Sequence, residues 1–297
     1  MKIKQLTAIA ADKSKFKKLP DFLDFAERYL MYVASKLQAV IVSQNENHYQ
    51  FYQYGGDAGY QITRPINSKL MYRINDFPNV KQSFIRLLEN VRDVTSQEDR
   101  QKINRMVYTM QVSIGSALDA LPAGQSNTAR KINGDLFEHL IRLIVREIGI
   151  DCESGVVQIP VIVRKKELFK MRYQHDLIIR RNDQIKLIGS IKTSSKDRLD
   201  KIFIDKFLYS KLTDTDTPHV AIFLNDVQRK NGKKEKEYGI NSTFLPGHFC
   251  GYTIKLNPLD GVYYCDIRPN MLTENILKDH IRTLDHLLCK DIWKFIK

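Results

Sequence analysis

The chain has 297 residues, 43% of them hydrophobic and 10% aromatic, which is typical of a packed globular protein and excludes disorder as its main state. Lys and Arg number 47 and Asp and Glu number 34, so the formal net charge of +13 favours a polyanionic partner, most often nucleic acid. No run approaches the roughly 18 apolar residues that span a bilayer, and the start lacks the apolar part of a secretory signal. We therefore expect a soluble, cytoplasmic protein with no membrane partner.

Helical spacing of apolar residues dominates the first part of the chain. It predicts a first helix from Asp21 to about Ile41, with Pro20 just ahead of it as a start signal. Two further helices are predicted, over 79–91 and 96–121. We expect residues 1–125 to form a mainly helical N-terminal region.

An aromatic segment over 45–65 interrupts these helices. It contains five aromatic residues and three glycines among polar residues, a composition typical of strands and turns. Its rings could stack on nucleic acid bases, or its tyrosines could pack a hairpin onto the helices. Packing is the favoured alternative.

The pattern changes after a stretch rich in Pro, Gly, Ser and Asn over 121–135, so we place a domain boundary near residue 125. The second domain, 126–297, begins with an apolar helix over 135–148 and continues with strand-like runs at 156–163, 175–180 and 185–192. A helix over 195–212 follows, and then strand-like apolar runs over 218–227, 249–256 and 261–267, with a solvated basic loop over 229–237 between the first two runs. A helical end is predicted over 273–297. The predicted fold class is α/β, with a mixed central sheet flanked by helices.

Chemistry-bearing residues concentrate in the two strands on either side of residues 182–184. A turn there folds the second strand back, so Asp176 lies almost opposite Ser190. Because strand side chains alternate, Ser190 and Lys192 share a face with Asp176, whereas Gly189 and Ile191 point the other way. One face of the hairpin thus offers a carboxylate, a hydroxyl and an amine.

This combination suits phosphodiester hydrolysis, in which a hard divalent cation on carboxylate oxygens activates water and neutralises developing charge. One carboxylate is a weak Mg²⁺ site, so a second acid is required. Glu138 is the best candidate, since it lies beside the apolar stripe of the helix that precedes the sheet. Lys192 would position the water or stabilise the charge.

These residues resemble the PD-(D/E)XK nuclease core of type II restriction endonucleases. Asp176 is followed at the family spacing by Ser190-Ile191-Lys192, and the continuation K-T-S-S-K-D-R, residues 192–198, is similar to an extension found in a subset of those enzymes. The resemblance covers about residues 130–225. It implies a site-specific deoxyribonuclease with Glu138, Asp176, Ser190 and Lys192 as catalytic residues and Mg²⁺ as cofactor.

The resemblance also implies ligands and partners. Asp176, Glu138 and the main-chain carbonyl of Ile191 would hold the metal, and Lys196 and Arg198, on the first turn of the next helix, would contact DNA phosphates near the helix N-terminus. A homodimer on a palindromic double-stranded DNA site and a companion DNA methyltransferase are implied as well.

The sequence departs from the family pattern at two positions. His175 stands where a proline usually precedes the aspartate, a position that carries no chemistry. Ser190 stands where the second acid usually lies; some members have serine there, and the helical glutamate then completes the metal site. In this chain Ser190 would orient a metal-bound water.

The distribution of charge also indicates that this region binds phosphates, because residues 164–206 contain 13 Lys and Arg against 6 Asp and Glu. Such a field draws phosphates towards the hairpin.

Several structural alternatives remain open. Glu138 and Arg142 could form an ordinary ion pair one helical turn apart. Ser194 and Asp197 fit a helix-capping box, and His175 is expected to pack on the strand face opposite Asp176. At the level of function, the alternatives are a structure-specific repair or recombination nuclease and a DNA-binding module whose catalytic site has decayed.

Overall fold

The fold contains both helices and strands. The computed structural model describes residues 1–55, 61–196, 198–234 and 237–297. The helices are α1 Ile3–Ala11, α2 Leu19–Lys36, α3 Phe77–Glu89, α4 Gln97–Leu118, α5 Ser126–Glu147, α6 Leu199–Thr213, α7 Pro246–Lys255, α8 Pro269–Thr273, α9 Asn275–His280, α10 Leu284–His286 and α11 Ile292–Phe295. The strands are β1 Ala39–Val42, β2 Tyr49–Gln53, β3 Ile66–Asn67, β4 Glu153–Val163, β5 Lys166–Arg181, β6 Gln184–Ser194, β7 His219–Asn225, β8 Val227–Asn231, β9 Tyr238–Ser242, β10 Gly261–Tyr264 and β11 Ile281–Thr283. Among the helices in these ranges, none combines the length and the apolar character that crossing a membrane requires.

A six-stranded mixed sheet in the order β11-β10-β7-β6-β5-β4 forms the centre of the fold. β4, β5 and β6 pair antiparallel, whereas β6, β7, β10 and β11 pair parallel. Successive side chains of each strand point to opposite faces of the sheet. Ile222 belongs to the apolar core that contains α5, whereas Phe223, on the other face, packs with α6 and α7. The predicted mixed sheet flanked by helices is therefore confirmed.

The N-terminal region is mainly helical and also contains a small sheet of β1, β2 and β3. The aromatic residues of the segment 45–65 that the structure describes are buried, as the packing alternative requires: Tyr49, Phe51, Tyr52 and Tyr54. Tyr60 lies outside the described residues. Burial of these rings leaves them unable to stack on bases without unfolding the hairpin.

The main apolar core is continuous across residue 125, since it includes residues of α1 to α5 and the α5-facing side chains of β5, β6 and β7. Residues 119–125, between α4 and α5, form the short connection at this point. The division of the chain at residue 125 into two domains stays a prediction.

Two predicted helix boundaries in the N-terminal half of the chain are wrong. The helix predicted from Asp21 is α2, and it ends at Lys36, because β1 pairs with β2 from Ala39 onwards and removes Val40 from the helical pattern. α5 begins at Ser126, nine residues earlier than expected, because its first turns pack on α4: Gln111 Nε2 donates to the main-chain oxygen of Asn133 at 2.9 Å. Tertiary contact thus extends a helix through a segment with loop composition.

Three further expectations in the C-terminal half need correction. The strand-like run at 249–256 lies in α7, where Pro246 opens the helix and Phe249 and Thr253 are buried one turn apart. The basic loop over 229–237 contributes residues to the β8–β9 hairpin, and Arg229 Nη1 donates to the main-chain oxygen of Ile62 at 2.9 Å. Glu235 and Lys236 lie outside the described residues. The helical end over 273–297 is interrupted by β11, which pairs with β10.

Candidate active site

The β5–β6 hairpin brings Asp176 and Ser190 to the same end of its ladder, by a different route from the one expected. Its turn contains two residues, Asn182 and Asp183, both with positive φ. A register shift between Ile179 and Arg180 then compensates for the shorter turn. The last pair of the ladder is Leu177 with Gly189, so Asp176 and Ser190 are the first residues beyond it on the two strands.

β5 and β6 separate at Asp176. β5 contains one residue more than β4 between the pairs His175 with Gly155 and Ile178 with Glu153, which is a β-bulge. Bulges terminate pairing and turn a side chain to a new direction. Gly189 allows the strands to approach closely just before they separate, because a Cβ atom there would lie 3.0 Å from Leu177 Cδ2. The bulge therefore creates a gap between two strands at the predicted catalytic aspartate.

Three of the predicted catalytic side chains meet in this gap. Lys192 Nζ lies 2.5 Å from Asp176 Oδ2 and 3.0 Å from Glu138 Oε1. The side chains of Lys192, Glu138 and Asp176 are 32%, 24% and 12% exposed, so the cluster is partly shielded but open to solvent. The structure thus brings together residues that are far apart in the sequence.

α5 positions Glu138 through its apolar side. Phe137, Leu140, Ile141 and Ile144 are fully buried against the sheet and the N-terminal helices. This anchoring turns Glu138 towards the end of β6. Arg142, one turn further on, donates from Nη1 to the main-chain oxygen of Asp176 at 2.9 Å.

Arg142 has a different partner from the one considered from the sequence. It holds the backbone of the bulge, and Glu138 pairs with Lys192, so the simple Glu138–Arg142 pair is wrong. The only signal in the sequence is its spacing, since residues four apart on a helix face the same neighbouring element.

The main chain at Ile191 also faces the gap. Its N–H donates to Asp176 Oδ2 at 2.8 Å, where a ladder bond to β5 would otherwise form. In a strand, the N–H and C=O of one residue point to the same neighbour. The carbonyl oxygen of Ile191 is therefore directed to the side on which Asp176 lies, as the expected ligand set requires.

The charges in the cluster control each other's protonation. Burial raises the pKa of Glu138 above its usual value, with a further contribution from the nearby Asp176 carboxylate, and Lys192 opposes both. For Lys192, burial alone would lower the pKa, but the Asp176 and Glu138 carboxylates outweigh it and the pKa lies above its usual value. Lys192 is accordingly held as an ammonium ion.

The donor set fits a hard divalent cation. Asp176 Oδ1 and Glu138 Oε2 make no hydrogen bond to the described part of the chain, while the other oxygen of each carboxylate is bound by Lys192. Hard cations take oxygen ligands of this kind. Within the described residues there is no cluster of three or more His, Cys, Asp or Glu side chains suited to a metal, so a cation here would depend on two carboxylates and a main-chain carbonyl.

Ser190 lies half-buried between Gly189 and Ile191. Its side chain shares the sheet face of Ala221, its partner on β7, which is the face covered by α6. Its hydroxyl makes no hydrogen bond to the described residues, so it remains available to an ordered water.

Lys196 and Arg198 do not lie on the first turn of a helix, which corrects the expectation from the sequence. β6 continues to Ser194 because that residue pairs with Asn225 on β7, and α6 begins only at Leu199. Both basic side chains are exposed in the turn between them. The capping box is also wrong: Ser194 Oγ accepts from the N–H of Lys196 at 3.2 Å, and α6 has no side-chain cap. Asp197 lies outside the described residues.

His175 is packed, as expected, but it lies on the sheet face covered by α6, which is also the face of Ser190. It is buried with its ring parallel to that of Tyr173 and edge-on to Tyr209 and His219. His219 is also buried, and its Nδ1 donates to the main-chain oxygen of Thr217 at 2.8 Å. The two histidines support the strand that carries Asp176.

We expect His219 to make the fold acid-sensitive. Burial lowers its pKa to about 4, so the unfolded chain takes up a proton near pH 6.5 while the folded chain does not. Stability therefore falls as the pH decreases from about 6.5 to about 4, by about 3 kcal/mol from this group. Urea unfolding at pH 7 and pH 4.5 should show a smaller loss in His219→Asn than in wild type. Exposed His248→Asn is the control, and equal pH dependence in all three proteins would contradict the prediction.

No protein-family model and no curated protein matches the chain. Among solved structures, the type IIP restriction endonuclease Kpn2I superimposes with a TM-score of 0.70 at 17% identity, covering 99% of this chain and 97% of that one. The restriction endonuclease PspGI, solved with its substrate DNA, gives a TM-score of 0.43 at 13% identity over 73% of this chain and 91% of that one. The Kpn2I comparison shows that the chain has a restriction-endonuclease fold along almost its whole length, including the N-terminal region.

Proposed function

We propose that the protein is a sequence-specific type II restriction endonuclease that hydrolyses phosphodiester bonds of double-stranded DNA with Mg²⁺. The observation that carries this proposal is the meeting of Asp176, Glu138 and Lys192 in the gap between β5 and β6. The fold is shared with a restriction endonuclease, and the chain carries a net charge of +13. Each feature alone is common, but the combination fits cleavage of a polyanion.

Asp176, Glu138 and the carbonyl oxygen of Ile191 would hold the cation. Mg²⁺ bound to them would polarise a phosphate oxygen and make water more acidic. Arg142 fixes the main chain at Asp176, so it keeps one ligand at a constant place relative to the others.

Lys192 would act on the reacting groups directly. Hydrolysis joins a water oxygen to phosphorus and breaks one ester P–O bond; the water loses a proton and the leaving oxygen gains one. Because Lys192 Nζ lies within hydrogen-bond reach of both proposed ligands, it would donate hydrogen bonds to the attacking water or to the phosphate oxygen on which charge develops.

Ser190 is expected to have a modest role, since it would orient a metal-bound water through one hydrogen bond. Ser190→Ala should slow cleavage only about 2- to 13-fold, which corresponds to about 0.5 to 1.5 kcal/mol. Ser190→Asp adds a hard ligand at the same position and should lower the Mg²⁺ concentration needed. Cleavage rates measured across a Mg²⁺ titration test both. An inert wild type beside an active Ser190→Asp variant would identify a decayed nuclease and refute the proposed activity.

Lys196 and Arg198 would contact DNA phosphates from the turn ahead of α6. Both are exposed and directly precede the N-terminus of α6, where the first N–H groups of the helix lie. A homodimer would read a palindromic site by its own two-fold symmetry, and a companion methyltransferase would protect host DNA.

Digestion of a plasmid of mixed sequence with Mg²⁺ tests the proposed function. Discrete bands whose sequenced ends share one short site support a restriction enzyme. Smears, or preferential cutting of branched DNA, would indicate the repair-nuclease alternative. DNA binding in EDTA without any cleavage in Mg²⁺ or Mn²⁺ would indicate a decayed module.

A further inference from the structure

A two-stranded arm, residues 158–172, extends from the sheet next to the candidate active site. It consists of the distal parts of β4 and β5, which pair with each other up to Val163 and Lys166. β6 pairs with β5 only from Leu177 to Arg181, so it does not accompany the arm. Ile159 packs with Tyr173, Tyr209 and Ile188, and this cluster anchors the base of the arm on α6.

The arm is strongly basic. Its five cations are all exposed: Arg164, Lys165, Lys166, Lys170 and Arg172. Glu167 is the only acidic residue in the same range. None of the five cations forms an ion pair with the described residues. Such unpaired charge complements a polyanion.

Two of these cations form the turn of the arm, in a backbone conformation that is unfavourable for Arg and Lys. Arg164 and Lys165 have φ of 50° and 65°, the left-handed region that a two-residue hairpin turn of this type requires. The neighbouring β5–β6 turn meets the same requirement with Asn182 and Asp183, which adopt it more readily. The two residues therefore place two positive charges at the tip of the arm, where Asn or Asp would fit the backbone more readily.

Large apolar side chains lie exposed among the cations. Ile162, Leu168 and Phe169 are 60%, 57% and 56% exposed, and Leu168 is the extra residue where the arm's register shifts. Nucleic-acid-binding proteins combine cations on phosphates with apolar side chains that enter a groove. The arm presents both at the same place.

We propose that the arm binds duplex DNA outside the cleaved site, with its cations on backbone phosphates and Phe169 and Leu168 against a groove. This inference rests on the proposed function, because it takes the substrate to be double-stranded DNA. At about 3.3 Å per residue, Arg172 lies about 13 Å and Lys165 about 36 Å along β5 from Asp176. That reach corresponds to about one turn of B-DNA. The arm therefore contacts the flanking sequence and adds affinity without adding sequence specificity.

Binding of the whole protein to mixed-sequence duplexes of about 14 and about 34 base pairs in EDTA tests the arm, since the longer duplex adds about one turn on each side. The test variant replaces all five arm cations with Gln. Wild type should prefer the longer duplex by at least about tenfold more than the variant does. The slope of log affinity against log salt on the longer duplex should fall by up to about 4.5 in the variant, at about 0.9 for each phosphate that the arm no longer neutralises.

A matched control removes the same charge from dispersed exposed positions, with Gln at Lys4, Lys36, Lys255, Lys278 and Lys290. It should retain the wild-type preference for the longer duplex. Phe169→Ala should weaken binding to the longer duplex by roughly threefold to tenfold and leave its salt slope unchanged, because it removes an apolar side chain and no charge.

Two results would overturn the arm proposal: an arm variant that keeps the wild-type length preference, or an arm variant that changes oligomeric state in sedimentation, which would make the arm a contact between copies of the chain. Both are separate from the plasmid digest. If the wild-type protein binds DNA through the arm but never cleaves it, the proposed nuclease activity is refuted. If the wild-type protein cleaves DNA but the arm makes no contribution to binding, only the arm proposal is refuted.

Discussion

Lys192→Ala is expected to lower the cleavage rate on the order of a thousandfold while DNA binding in EDTA stays within a few-fold of wild type. The side chain is the one cation in contact with both Asp176 and Glu138 among the described residues, at 2.5 Å and 3.0 Å. Its loss removes the donor that would act on the water or phosphate. Lys192 is also only one of 47 basic residues, so its loss removes a small part of the positive charge available to DNA phosphates. Single-turnover cleavage and EDTA-state binding on the same DNA separate the two effects.

Lys186→Ala is the matched control for this variant, because Lys186 lies on the same strand without a partner in the cluster. It should cut at the wild-type rate. Cleavage by Lys192→Ala at a tenth of the wild-type rate or faster would exclude Lys192 from the mechanism.

Glu138→Gln is expected to raise the Mg²⁺ concentration for half-maximal cleavage by at least about tenfold, or to abolish activity, because an amide is a weaker ligand than a carboxylate. Its thermal stability should not decrease. Burial raises the pKa of Glu138, which means that ionisation of this group costs free energy in the folded protein, and glutamine avoids that cost. A Mg²⁺ titration of cleavage together with a thermal melt distinguishes ligand loss from unfolding.

Two variants on the same helix complete this test. Glu147→Gln, at an exposed position near the end of α5, should leave both measurements unchanged. Arg142→Ala should slow cleavage by roughly tenfold through a looser Asp176 backbone, since a hydrogen bond from a charged group contributes about 1.5 to 3 kcal/mol, and it should raise the Mg²⁺ requirement by less than Glu138→Gln does, because both carboxylate ligands remain. If Glu138→Gln and Arg142→Ala instead gave equal and mild effects, Glu138 would not be a metal ligand.

Local patterns in the sequence are sufficient for the hairpin half of the candidate site. Strand alternation and a short turn predict that Asp176 lies opposite Ser190, with Lys192 on the same face, and these relations depend on residues only a few positions apart. The register agrees with the prediction as far as Leu177 and Gly189 although the turn is shorter than expected, because a bulge compensates for the difference; the ladder ends at this pair, so Asp176 and Ser190 are not paired. Glu138 can also be chosen from the sequence, since the apolar stripe of its helix predicts which side of the helix faces the sheet.

Elements that depend on distant partners are predicted less well. The early start of α5 requires α4, the end of α2 requires β2, and the late start of α6 requires β7. In each case a hydrogen bond or a packed surface from elsewhere in the chain overrides the local preference. α7 has a strand-like sequence and forms a helix because of the surface on which it packs.

By itself, the sequence determined the α/β class, the hairpin that brings Asp176 and Lys192 close to each other, and the positive charge around them, because each follows from residue type and near-neighbour spacing. Only the tertiary structure decided that Lys192 bridges Asp176 and Glu138, that Arg142 holds the bulge, and that β4 and β5 extend beyond the sheet as a basic arm. These features depend on the packing of α5 against the sheet and on where strand pairing stops. Both are set by contacts between residues far apart in the chain, which no local pattern encodes.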